Sequence, residues 1–422
     1  MPTYSPTKLG QVYIRKQAAG FGTPYSAAET ASGLAVEAAA FVPTATREVF
    51  ERESVTGDYH KLGAISGSQA GQNTITLTMP MHGISASAPT DNPTAHAEAE
   101  ILGAILGGND AINYNAGVVN SSGSDLDTID TDSGTWKAGQ GVIVQTAAGS
   151  SGYEMGFIEN ASDATAPELR TPLSPTASVQ NSSTAYGTAN AWLATAAPSA
   201  FTILVRGLDN NTQILAKSCV PTSVTITLDP KGVPTMEATF WVNEIAQSAA
   251  GSALSNYAYS LPVLPVATAN DACRLVYGTA SATVFDVEGF TLNIEQELQP
   301  QLAHGADSGV RDVIVTNRTV SASFTSLVGA ATPWDTSANM STVFDLNDVD
   351  DGTGSKCIQL TLGNTPGQMF GFSIPQPLNT APPALTDSNG MWAVSHEVTV
   401  GRYAGDTGTV GSVDKPIVVA FG

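Results

Sequence analysis

Apolar and polar side chains alternate strictly in several runs of this chain. Residues 73–79, Asn-Thr-Ile-Thr-Leu-Thr-Met, place Ile75, Leu77 and Met79 on one face and Thr74, Thr76 and Thr78 on the other. That two-residue period belongs to a strand with one face buried. The same form returns at residues 223–228 (Ser-Val-Thr-Ile-Thr-Leu), 291–297 (Thr-Leu-Asn-Ile-Glu-Gln-Glu) and 319–324 (Thr-Val-Ser-Ala-Ser-Phe). Turn formers punctuate the runs: Asp229-Pro230-Lys231-Gly232 lies between two of them, and Asp387-Ser388-Asn389-Gly390 precedes another at 391–400. The pattern predicts a mainly β chain of antiparallel sheets joined by hairpins.

Helical signals are few. The clearest is at residues 92–107, with Asn92 and Thr94 as capping candidates, Glu98 and Glu100 early and Gly107-Gly108 at the end. A shorter one is at 341–348. Each follows a pair of strand-like runs and precedes another group of strands, which predicts a topological duplication. In the first half an extended run at 47–55 leads through a Gly-rich loop to the strand at 73. In the second, 285–297 leads through a loop to 311–326. The expected organisation is two tandem β-sandwich or barrel-like domains, 1–245 and 270–422, each with one flanking helix, joined by a linker at 246–269. Strand-like segments at 136–144 and 153–158 predict a small inserted β-barrel at about 124–175, placed on the outer surface where its removal should be tolerated.

Composition narrows the possibilities. Of 422 residues 42% are hydrophobic, and 40 Gly with 24 Pro show no collagen period, so the chain is expected to be globular. Seventeen Lys and Arg face 38 Asp and Glu, a net charge of −21, while charged residues total only 13%. A surface so short of cations is unsuited to gripping nucleic-acid phosphates. Cys219, Cys273 and Cys357 stand far apart and are expected to be reduced. With no run of eighteen apolar residues, no membrane-spanning helix is expected.

Chemistry-bearing motifs are missing. The sequence has no G-x-S-x-G, phosphate-binding G-x-x-x-x-G-K-[ST] or H-E-x-x-H pattern. His60, His82, His96, His304 and His396 are scattered. His396 and Glu397 would point to opposite faces of a strand, so they cannot share one proton. Asp125, Asp127, Asp130 and Asp132, and likewise Asp345, Asp348, Asp350 and Asp351, mimic calcium-loop spacing but lack the Glu that supplies the bidentate ligand. No catalytic residue, metal or cofactor is therefore expected.

Several stretches resemble the major tail tube proteins of long-tailed, non-contractile bacteriophages. These are Gly20-Phe21-Gly22-Thr23-Pro24 after a short basic run, Glu51-Arg52-Glu53-Ser54 with the run on to Met79, Trp136-Lys137-Ala138-Gly139-Gln140-Gly141-Val142-Ile143-Val144, and residues 216–226. The resemblance implies β-sandwich or barrel-like tube domains whose long hairpins join those of neighbouring subunits into a continuous inner barrel. It further implies stacked rings with an electronegative lumen, trimeric and pseudo-sixfold where each chain has two tube domains, hexameric as the alternative. On that reading Thr74, Thr76, Thr78, Asn293, Glu295, Glu297, Ser321 and Ser323 line the lumen. The long loops would interlock with the adjacent ring through Asp58, His60, Lys61, Gln301, His304 and Asp307. The implied partners are further copies of the chain, tail-tip initiator and terminator proteins, and a tape measure protein inside the tube. DNA would pass without specific binding, and no membrane is involved. The implied place is the virion tail, with assembly in the host cytoplasm. A carbohydrate-binding or adhesin-type β protein is the alternative, and a glycosidase using Glu295, Glu297 or Asp312 is a third reading.

Overall fold

In the computed structural model the alternating runs pair into one twelve-stranded sheet. The structure describes residues 11–18, 20–38, 40–44, 49–52, 62–66, 73–83, 97–110, 116–119, 127–132, 136–146, 152–161, 163, 165–173, 179–180, 183–194, 197–209, 212–228, 233–249, 273–277, 283–285, 287–303, 309–327, 357–379, 383–388, 390–400 and 415–422. The expected helix at 341–348 and the linker at 246–269 fall largely or wholly outside these.

Nine strands of this sheet fill eight positions side by side. In spatial order they are Ala40–Thr44, Asn73–Pro80, Thr235–Ala249, Thr212–Leu228, Val287–Leu302, Val310–Leu327 and Met391–Val400, with Pro377–Asn379 and Ala384–Ser388 end to end on its far side. All neighbours are antiparallel. Apolar side chains form rows across the strands: Phe41, Leu77, Ala238, Val224, Ile294 and Val320 make one, and Met79, Met236, Ile226, Leu292, Ala322 and Val398 the next. All but Phe41 are buried, and each large aliphatic among them contributes on the order of 1.5–3 kcal/mol.

The strand Thr212–Leu228 joins the two halves. Thr235–Ala249 pairs along one edge of it, but the other edge is shared. Its first part pairs Phe201–Asp209, and its last part, Ser223 to Leu228, pairs Glu295 to Phe290. The partner changes between Cys219 and Ser223, and just before it Ser218 sits at an irregularity in the pairing with Phe201–Asp209: its φ of 49° lies in the left-handed region, which costs a non-glycine residue roughly 1–2 kcal/mol. Its hydroxyl accepts from the Gly22 N–H at 3.3 Å and from Gln17 Nε2 at 3.4 Å.

A seven-stranded sheet covers part of the apolar face. Its order is Thr283–Phe285, Cys273–Tyr277, Ile358–Leu362, Phe370–Ile374, Val418–Phe421, Ala189–Leu193, Gly107–Asp110. Phe372 stacks on Phe290 of the large sheet at 5.0 Å. Both sheets and the helix Ala97–Leu106 share one hydrophobic cluster. All ten residues of that helix are buried, as befits a helix enclosed between layers rather than laid on a surface. The mainly β expectation holds, and the flanking helix in the first half lies inside the span expected for it.

Two expectations change. The partner of Asn73–Pro80 is Ala40–Thr44, whereas Val49–Arg52 forms a separate ribbon with Leu62–Ser66. Pro43 within the first of these is tolerated because the strand is outermost and Pro43 breaks no interior ladder. The insert is not a closed barrel. It is an open five-stranded sheet, ordered Glu168–Leu169, Tyr153–Asn160, Gly141–Gln145, Thr184–Gly187, Ala116–Val118, and it recruits strands on both sides of 124–175. One face holds Trp136, Val142, Val144 and Ile158 around its own core. From the other, Ile143, Met155 and Phe157 pack on Met369, Val418 and Ala420 of the seven-stranded sheet. Thr171 Oγ1 donates to Gln359 Oε1 at 3.0 Å and Arg274 to the Pro172 carbonyl at 2.7 Å. Excision of 124–175 would uncover this apolar contact, because the alternation of the insert's strands serves two cores.

A buried imidazole ties three segments together. His82, following the strand Asn73–Pro80, places Nδ1 2.6 Å from Glu98 Oε1 at the helix start and Nε2 3.2 Å from Glu37 Oε2. Next to it Gly83 lies so close to the Gly367 carbonyl, in the other half, that a Cβ would collide with backbone. Burial opposes charge on His82, but bonding and attraction from Glu98, then Glu37, outweigh it and raise its pKa above 6.5. A raised histidine pKa contributes stability that is fully present below about 6.5 and is lost as pH rises through the folded value. The melting temperature of the parent should therefore exceed that of His82→Gln most near pH 6, and the gap should narrow towards pH 8.5. A pH-independent gap would count against a charged pair.

Candidate functional site

The side chains that alternate with the core rows form a second, polar face on the same strands. One row runs Ala40, Thr78, Glu237, Thr225, Asn293, Ser321, Thr399 and Leu378. On one side of it stand Val42, Thr76, Thr239, Ser223, Glu295 and Thr319, on the other Thr235, Thr227, Thr291, Ser323 and Glu397. These rows hold no Lys or Arg. Their ionic groups are carboxylates, set among hydroxyls that bond to one another: Thr76 and Thr239 oxygens are 3.1 Å apart, and Thr225 Oγ1 donates to Asn293 Oδ1 at 2.6 Å. Such a face is hydrated, weakly anionic and free of phosphate-binding cations.

The face has a defined upper limit. Beyond Glu295 the hairpin Val287–Leu302/Val310–Leu327 leaves its neighbour, and Leu298, Val310 and Val313 gather with Val220, Trp241 and Phe21. Trp241 belongs by alternation to the polar side, beside Thr74. The hairpin arm and Phe21, whose ring lies 5.8 Å from that of Trp241, cover it.

Thr74, Thr76, Thr78, Asn293, Glu295, Glu297, Ser321 and Ser323 all fall on this face by register. Gln301 lies in the arm, opposite Asp312. Asp58, His60, Lys61, His304 and Asp307 are outside the described residues. Glu295 and Glu297 stand exposed on the open sheet, and the Asp312 carboxylate accepts its neighbour Val313's N–H at 2.8 Å. His396 is buried against Phe324 and bonds Asn379 at 2.8 Å, its pKa lowered to about 4 by burial, while Glu397 is exposed on the opposite face. Cys219 and Cys357 are buried and Cys273 half-buried, none of them in a disulfide, burial pushing Cys357 up to about 12 and Cys273 to about 11. Among the described residues no cluster of His, Cys, Asp or Glu could hold a metal ion, and no helix is long and apolar enough to cross a membrane.

The borders of the sheet carry a feature that alternation does not reveal. The large apolar side chains exposed among the described residues are Val42, Val233, Leu302, Ile314, Leu378, Leu385, Met391 and Trp392. Val42 lies on the outermost strand at one lateral edge, and Leu378 and Leu385 on the outermost strands at the other. Val233, Met391 and Trp392 lie at the end of the sheet that carries Leu228, Thr235 and Ser388, while Leu302 and Ile314 lie on the arm at the opposite end. Exposed sheet edges with apolar borders are templates for further pairing.

The family model described as phage tail tube protein matches residues 7–400. No curated protein matches the chain.

Proposed function

Because the chain belongs to the phage tail tube protein family, a structural family of the virion tail, we propose that it polymerises into stacked rings that form a hollow conduit for the genome. The observation that carries this reading is the joint inside the chain. Ser223 to Leu228 ends one four-strand group and Phe290 to Glu295 opens the next, antiparallel and in register. The strand order repeats across that joint. Ala40–Thr44, Asn73–Pro80, Thr235–Ala249 and Thr212–Leu228 correspond to Val287–Leu302, Val310–Leu327, Met391–Val400 and Ala384–Ser388. The last strand of the second group and the first of the first group are the two free edges, and they run in opposite directions, as the joint requires. Ring closure repeats between chains the contact already made within one.

Two groups per chain favour three chains per ring, an isologous-free cyclic arrangement without remaining edges. Three chains of eight strands give a barrel of about twenty-four. At ~4.8 Å between strands and a tilt of ~40°, this is on the order of 45 Å across the backbone, wide enough for duplex DNA. The Thr/Ser/Asn face with its carboxylates lines the bore. The tape measure protein would lie within it, initiator and terminator proteins would cap its ends, and assembly would take place in the host cytoplasm.

Electron microscopy of the purified chain at rising concentration tests the proposal. Hollow filaments of stacked rings with threefold symmetry are expected; compact monomers at every concentration, with an initiator complex supplied, would refute it. The lumen assignment has its own test. Replacing Thr78, Asn293 and Ser321 by Lys should leave tubes intact but make them retain duplex DNA, with an affinity falling steeply as salt rises. Tubes that ignore DNA as the parent does would place those residues elsewhere.

A further inference from the structure

The exposed apolar side chains at the two axial ends remain after lateral closure. Along Val287–Leu302 the distance from Phe290 to Leu302 is roughly 40 Å of extended strand, so Leu302 in the arm and Met391 at the start of its strand occupy opposite ends of the sheet. At the arm, Leu302 is 75% exposed and Ile314 48%. Arg311 is exposed next to Val310, the cross-strand partner of Leu302. At the start of the strand Met391–Val400, Trp392 is 65% exposed and Met391 52%, and Asp387 is exposed directly across from Trp392. The arm end is thus apolar with Arg311 and Asp312 exposed side by side, the other apolar with the carboxylate of Asp387, in a chain that has few cations to place.

We propose that the Met391–Trp392 strand end of one ring seats on the Leu302–Ile314 arm of the next copy of the chain, with Asp387 facing Arg311, and that this contact sets the polarity of the tube. It rests on the tube reading above but is separable from it. A large aromatic and its neighbour entering an apolar seat is the kind of contact that dominates interface energetics. The two ends are unlike, so the contact is head-to-tail: repeated by translation it extends without limit, where a like-to-like contact would stop at two rings.

The test uses two singly substituted full-length chains, Trp392→Cys and Leu302→Cys, assembled together and oxidised. A disulfide between the two is expected in the pelleted tubes and not in the unassembled chains. In parallel, Trp392→Glu should yield free rings in place of filaments, reducing pelletable tube at least tenfold with an unchanged melting temperature. Ile314→Glu at the other end should do the same, which guards against a folding defect in either variant. Tubes of the mixed cysteine variants that show no cross-link, or glutamate variants that form tubes as long as the parent's, would overturn the inference and leave the tube reading standing. Failure of the parent itself to form rings would overturn both.

Discussion

Leu385→Lys is expected to abolish ring formation while leaving the subunit folded. Leu385 lies on the outermost strand Ala384–Ser388 and is 59% exposed, so its replacement should change subunit stability by no more than about 0.5 kcal/mol. A lysine on a strand edge is a device that soluble sheets use to refuse a further strand. Val42→Lys, at the other free edge and 55% exposed, should have the same effect. The mixture separates edge addition from any general loss of solubility or fold. Each variant retains one competent edge, and these are the complementary ones: Ala384–Ser388 in Val42→Lys, Ala40–Thr44 in Leu385→Lys. Mixed, the two should form a capped pair of chains that neither extends nor closes, while each alone stays monomeric. Sedimentation velocity reads the difference. Pairs in either variant alone, or no pairs in the mixture, would show that rings close through some other surface.

Removing the last five residues should cause the largest loss of stability available to a truncation this short. The strand Val418–Phe421 lies between Phe370–Ile374 and Ala189–Leu193, so it is interior to the seven-stranded sheet although it is last in the chain. All four residues are buried, Phe421 edge-on to Phe370 at 5.4 Å. Without it the sheet divides, and Met369, Ile143 and Met155 lose a common packing surface. Chains ending at Ile417 should be recovered as aggregate. The milder Phe421→Ala keeps the backbone ladder and is expected to cost about 3–5 kcal/mol, lowering the melting temperature by roughly 5–15 °C. A shift of a degree or two would mean that the sheet holds without this side chain.

The effect is large because the strand connects segments remote in sequence. Ala189–Leu193 comes from the first half, Phe370–Ile374 from the second, and the insert's Met155 and Phe157 rest against the same strand. The same cluster of apolar residues spans both halves, and the insert leans on it.

Strand existence, facing and chemistry were legible in the sequence. The run 73–79 pairs as expected because Ile75, Leu77 and Met79 leave one face to bury and three threonines leave the other to water. The same alternation sets Asn293 and Glu295 on the face that Ser321 and Ser323 share. It also separated His396 from Glu397. Side-chain period is local, and a strand carries it whichever neighbour it meets.

Pairing partners are not local. That Ala40–Thr44 rather than 47–55 accompanies Asn73–Pro80, that Thr212–Leu228 exchanges one partner for another between Cys219 and Ser223, and that the strand Val418–Phe421 closes a sheet begun in the first half were all decided by tertiary structure. So were the borders. Trp392 and Leu385 follow the same alternation as the buried Val394, and nothing in the sequence distinguishes an apolar residue inside the sheet from one just past its edge. By itself the sequence determined a β-rich chain with one apolar and one cation-free polar face. Only the tertiary structure decided where that sheet ends and what its edges leave exposed, because burial depends on what packs around a residue and not on the residue alone.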